Sequence, residues 1–197
     1  MPSPMIHLLV AYEINPKAPD LFWVGNFAPD YINDRQKKDE IHFRNAENRL
    51  EALRQLREKI DNNNPFEAGW LLHLFVDTCW DEIMIPAFQN KYKNSSAFED
   101  WFIKYRGETA LASYYIYHHM DWAPQIWTQI LNADLSTIKS ELPITQYDVE
   151  LYRDRVYRRH SESDKNSVSQ EYTEEQVLDF SRETACKYIK WKNLPDN

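Results

Sequence analysis

Apolar residues recur at helical spacing from the start of the chain. Ile6, Leu9, Val10 and Ile14 follow a Ser3-Pro4 pair, which supplies a candidate N-cap and a proline at the first helical position. Pro19-Asp20 opens a second, shorter helix, and Pro29 disfavours helical geometry at Ala28, which places Asp30 at a break. "NDRQKKDEIHFRN" reads as polar, turn-like chain until Ile41 and Phe43 bracket His42 with an apolar anchor. Leu50, Leu53, Leu56 and Ile60 then mark residues 45–61 as an amphipathic surface helix that "NNNP" ends. From Phe66 to about Tyr92 the chain is apolar on nearly every side, the pattern of a central buried helix that Pro86 should kink or end.

Residues 97–120 predict one long helix or two joined near Gly107, "PQIWTQILNA" another after Pro124, and residues 145–160 and 173–192 two more. The intervening "SESDKNSVSQEY" is polar and reads as a mobile loop. The pattern predicts an all-α fold, a single-domain bundle of about seven helices spanning residues 1–197. Composition supports this reading: with 43% hydrophobic residues the chain can bury a core, and three glycines leave little for the tight turns of a β-sandwich.

Charge and cysteines narrow the function. A net charge of −8 argues against a partner of nucleic acid, because neutralising phosphates takes clustered Lys and Arg. Cys79 and Cys186 form neither a C-x-x-C pair nor a ligand cluster and are expected to be free, buried thiols. "MPSPMIHLLVAYEI" is a poor signal peptide, and no stretch reaches the ~18 apolar residues of a membrane span. The expectation is a cytoplasmic protein without stable membrane insertion.

The chemistry begins in "GWLLHLFVDTCWDEI", residues 69–83, where His73 and Asp77 stand four apart in an apolar run. On a helix they share one face with Cβ atoms ~5 to 6 Å apart. That spacing suits an imidazole nitrogen and a carboxylate oxygen binding one zinc ion, or a hydrogen-bonded pair that satisfies two buried polar groups. His7, Asp30 and His42 also sit in apolar settings, "MIHLL", "FAPDYI" and "EIHFR". Singly, His7 fits a core histidine bonded to a carbonyl, Asp30 a helix N-cap and His42 a surface residue. Together, a shared cation would satisfy all five, and leaving each buried without a partner would be costly. His118 and His119 end an aromatic helix and read as C-terminal caps, of which at most one could close the site. His160 lies among polar residues and reads as solvated. Arg44 fits an anion clamp or a surface partner of Glu40 or Glu47.

These features resemble the zinc-dependent phospholipase C family, best its short bacterial branch without a signal peptide. The likeness rests on an N-terminal helical histidine, "GNFAPD" (residues 25–30), a "HF" histidine about a dozen residues on, and "GWLLHLFVD" (residues 69–77). It covers roughly residues 1–90. It implies an all-α fold with metal ions inside a helical bundle and cleavage of phosphodiesters in lipid head groups by metal-activated water. Carried across, Asp30, His42, His73 and Asp77 would ligate one metal, and Asp77 would bridge to a second held by His7. The chain departs from the family after Asp77, where "TCWDEIMIPAF" supplies Asp81 and Glu82 in place of further histidines. One or two ions are therefore expected, not three.

The functional expectation is a metal-dependent hydrolase acting on a small-molecule or lipid-head-group phosphoester. Asp30, or a non-ligating oxygen of Asp77, is the candidate catalytic base. Zinc suits the mixed His and carboxylate donors, as would Fe, Mn or Ni. The alternative is a non-catalytic helical protein with a structural metal or a buried polar network. An HD-type phosphohydrolase would need an adjacent His-Asp dipeptide, which the chain lacks, and a three-histidine thiol-transferase bundle would leave Asp30 and Asp77 without roles.

Overall fold

The computed structural model describes residues 1–32, 34–94 and 100–194. Among them every regular element is helical: α1 (Pro4–Ile14), α2 (Asp20–Phe27), a 3-10 turn (Ala28–Tyr31), α3 (Arg35–Ile41), α4 (Arg49–Lys59), α5 (Pro65–Tyr92), α6 (Trp101–His119), α7 (Ala123–Asn132), a second 3-10 turn (Leu135–Thr137), α8 (Gln146–Ser161) and α9 (Glu174–Lys192). The all-α expectation holds, with nine α-helices among the described residues in place of about seven.

The bundle is organised around α5. The Asn64 side chain accepts the Phe66 N–H at its start, Pro65 takes the first helical position, and every residue from Phe66 to Trp80 is buried. Helix α2 packs most extensively on α5, α1 on α9, and α4, α6 and α9 complete the shell around α5. Trp23, Trp70, Trp80 and Trp127 are fully buried, so the largest aromatics are core. Pro86 does not end α5. The carbonyl it leaves unpaired belongs to Glu82, on a stretch that has left the core, where water can satisfy it.

Two glycines set how closely α2 and α5 cross. A Cβ at Gly25 would stand 2.0 Å from the Phe66 carbonyl oxygen, and one at Gly69 would stand 2.2 Å from that of Phe22. The backbones therefore touch where any side chain would hold them apart. Gly107 faces open space, and α6 runs through it unbroken; residues 97–99 of the expected helix lie outside the described residues.

Elsewhere the structure differs from the pattern for local reasons. Ser3 stands before α1 but its side chain makes no cap bond. Residues 35–41, expected as a turn, form α3: Asp34 Oδ1 accepts the Lys37 N–H at 2.8 Å, a cap that substitutes for the missing apolar period. At its other end Phe43 N–H donates to Glu40 O and Arg44 N–H to Asp39 O, with Phe43 at φ 52°. This is a Schellman termination with phenylalanine in the left-handed position that glycine usually holds. The loop expected to be mobile is fastened, since Glu108 Oε2 accepts from Ser169 Oγ at 2.7 Å and from the N–H groups of Gln170 and Glu171. Cys79 is buried as expected, whereas Cys186 is exposed on the outer face of α9. No described helix is long and apolar enough to cross a membrane.

Candidate metal centre

Helix α5 brings His73 and Asp77 to one point, with His73 Nε2 3.8 Å from Asp77 Oδ2. The tight α2–α5 crossing then places the Asn26 carbonyl 2.7 Å from His73 Nδ1. A carbonyl only accepts, so Nδ1 carries the proton and Nε2 offers its lone pair to the interior. His42, at the C-cap of α3, is oriented in the same way: Nδ1–H donates to Lys38 O at 2.7 Å. The Schellman turn that follows lets the chain reverse there without pulling the ring outward. Two imidazoles thus point Nε2 at each other across 3.3 Å.

The other sequence candidates converge on the same place. His42 Nε2 lies 3.3 Å from Asp77 Oδ2 and 3.5 Å from Asp30 Oδ1, and Asp30 Oδ1 lies 4.0 Å from His73 Nε2. Asp30 comes from the 3-10 turn Ala28–Tyr31, and Ala28 keeps helical geometry at φ −58°, ψ −36° despite the proline that follows it. His7, on α1, stacks on the His73 ring at 3.9 Å and turns Nε2 towards Asp77 Oδ1 at 3.4 Å. The four residues other than Asp30 have no solvent exposure, and Asp30 is 7% exposed. Two groups have ligand atoms close enough for one ion: His42, His73 and Asp77, and His7, Asp30 and His73.

The donors fit a metal. Edges of a tetrahedron around zinc at ordinary bond lengths measure about 3.3 Å, and the His42–His73–Asp77 triangle has edges of 3.3, 3.3 and 3.8 Å. Both oxygens of Asp77 and both ring nitrogens of His7 are sealed from water without a hydrogen bond. Leaving them so would cost a few kcal/mol each, and a cation is the ligand that satisfies carboxylates and imidazole lone pairs at once.

Electrostatics keeps the donors in ligating form. Burial and the neighbouring His7 hold the His73 pKa well below its ordinary value, so the ring is neutral. Burial alone would raise the Asp77 and Asp30 pKa values. His7, whose Nε2 faces Asp77 Oδ1, comes first among the neighbours that more than offset this for Asp77, and for Asp30 the Lys38 ammonium, 2.8 Å from Oδ1, does so first of all; both stay ionised.

Some expectations are corrected here. His42 is not a surface residue. His118 and His119 join neither ligand group: their Nε2 atoms meet Ser163 and Lys165 O in the loop before α9. His160 is buried, donating from Nδ1 to Val156 O and sharing a 2.8 Å hydrogen bond with Ser113 Oγ. Arg44 pairs with Asp39 at 2.9 Å rather than with Glu40 or Glu47, and its Nη2 faces Asp77 Oδ2 at 3.6 Å. The sequence reading missed Lys38. Its place one helical turn before His42 was the available signal, hidden because α3 has no apolar period.

Comparison with known proteins is negative: no family model matches the chain, and no curated protein or solved structure matches it.

Proposed function

We propose that the chain is a metal-dependent hydrolase that cleaves a phosphoester with water, with a site like that of the zinc-dependent phospholipase C family. The observation that carries this reading is the facing pair of His42 and His73 Nε2 atoms, each with its proton committed to a carbonyl on the far side of the ring. Two lone pairs at that distance repel unless a cation lies between them.

His42, His73 and Asp77 would hold the ion, with His7 and the second oxygen of Asp77 available to another. A divalent ion held there would lower the pKa of a coordinated water towards neutrality and neutralise charge on phosphoryl oxygens. Asp30, kept ionised by Lys38, would take the proton from the attacking water. The apolar walls of α1, α2 and α5 exclude bulk water and strengthen every charge interaction inside.

A second reading follows from Asp30 itself. If its Oδ1 were the fourth ligand the coordination would be closed, and the ion would only stabilise the fold. Elemental analysis of the purified chain beside His73→Ala and Asp77→Ala, with turnover of a nitrophenyl phosphodiester, separates the readings. The hydrolase reading expects one or two zinc-type ions in the wild type, loss of metal in both variants and turnover that chelation abolishes. Wild type carrying no more metal than the variants rules out the centre. Metal without turnover, but with a large loss of thermal stability on chelation, leaves the structural reading.

A further inference from the structure

A site built to attract a divalent cation has no evident use for cations of its own, yet two stand directly on its carboxylates. Lys38 Nζ is 2.8 Å from Asp30 Oδ1, the oxygen that faces His42 and His73. Arg44 Nη2 is 3.6 Å from Asp77 Oδ2, again the oxygen turned towards both histidines. The protein's own cations therefore stand within ion-pair distance of both carboxylates of the centre. Both side chains also reach solvent, at 19% and 25% exposure, whereas the donors behind them are sealed.

Arg44 has carboxylate partners besides Asp77. Asp39 fixes Nη1 at 2.9 Å and Asp81 faces Nε at 3.6 Å, while Nη2, shielded from water, has no hydrogen-bond partner. Asp81 is in turn fixed by Arg49 at 2.8 Å. The guanidinium is thus fixed through Nη1 and flanked at Nε while Nη2 lacks a hydrogen bond of its own, and Lys38 stands on Asp30 of the same cluster.

We propose that Lys38 and Arg44 form a clamp for a phosphate oxyanion beside the metal centre, and that metal and anion bind cooperatively. This rests on the metal reading above. Without metal, the two cations neutralise Asp30 and Asp77. A metal held by Asp77 and facing Asp30 draws on the charge of both, and the guanidinium and ammonium then carry surplus charge that a tetrahedral oxyanion satisfies, the guanidinium through its Nη2 N–H donors and the ammonium as a point charge. Linkage requires each ligand to tighten the other by one factor, on the order of tenfold.

Calorimetry on the full chain tests this, with zinc titrated against a competing chelator and with inorganic phosphate and the head-group diester glycerophosphocholine in parallel arms. Metal-loaded wild type is expected to bind the phosphate group about tenfold or more tighter than metal-free protein. Lys38→Met and Arg44→Gln should bind zinc alone as tightly as wild type or more tightly, since a competing cation is gone, yet bind phosphate about tenfold more weakly. These opposite signs are what a merely structural role would not produce. The arm in which Arg44→Gln loses affinity names the source of the phosphate. If the variants retain wild-type phosphate affinity, or lose zinc and phosphate together, the clamp is wrong and the metal centre stands. If wild type binds no zinc, both readings fall.

Discussion

Replacing Gly69 by alanine tests the link between the α2–α5 crossing and everything it positions. The new Cβ would stand 2.2 Å from Phe22 O, 2.8 Å from Asn26 N and 3.1 Å from the Gly25 carbonyl carbon, where ordinary contact begins at 3.4 Å. All three obstacles are backbone, so no rotamer change relieves them, and the helices must part by about an ångström at their closest point. Overpacking of this kind costs roughly 1–3 kcal/mol, and the higher helix propensity of alanine offsets about 1. With backbone as the obstacle the upper end applies, a net loss of about 2 kcal/mol, or roughly 4–8 °C in Tm for a chain of this size. His73 lies one turn further along α5, so the bond from its Nδ1 to Asn26 O should lengthen and metal affinity fall with it. Thermal unfolding followed by circular dichroism measures the first effect and metal content the second. Gly107→Ala is the matched control: with nothing near its Cβ, it should raise Tm by about 2–4 °C through helix propensity alone. Should Gly69→Ala match or exceed wild type in Tm, the account of the crossing is refuted.

Two further outcomes follow from groups outside the metal centre. Burial lowers the His160 pKa to about 4 from its ordinary 6.5. Above pH 6.5 neither state is protonated and stability is full; as pH falls from there to 4 the unfolded chain takes up a proton that the folded one refuses, a loss of about 3 kcal/mol. Urea unfolding at pH 7 and pH 4 should show that loss in wild type and a smaller one in His160→Gln; equal losses in the two would count against it. Glu108→Ala removes the acceptor for Ser169, Gln170 and Glu171, so amide exchange and proteolytic nicking in residues 162–172 should rise with little change in Tm. Unchanged protection there would mean the loop is held by its buried residues, Ser169 and Tyr172, instead.

How far the chain could be read from its residues depended on whether the signal was local. Helices α1, α5, α8 and α9 were legible because an apolar period or an apolar run spans several turns. Helix α3 was not, because nothing on it is fully buried and only its caps specify it. The same omission hid Lys38, whose ammonium can meet Asp30 only once α3 exists. His160 misled because its neighbours in sequence are polar, while its surroundings in space are Trp127, Tyr117 and Ser113. The loop before α9 misled likewise, since its anchor, Glu108, is about sixty residues away.

By itself the sequence determined that the protein is helical and that polar groups of ligating type are set into segments too apolar to leave them in water. Periodicity and the placement of His7, Asp30, His42, His73 and Asp77 in apolar contexts carry that much, since burial preference is a property of short stretches. Only the tertiary structure decided that the five share one point. It also decided that the rings of His42 and His73 face each other with their protons turned away, and that Lys38 and Arg44 stand on the carboxylates between them. Those relations depend on how closely α2 and α5 approach and on where α3 ends. They arise from contacts between residues tens of positions apart, which no local pattern encodes.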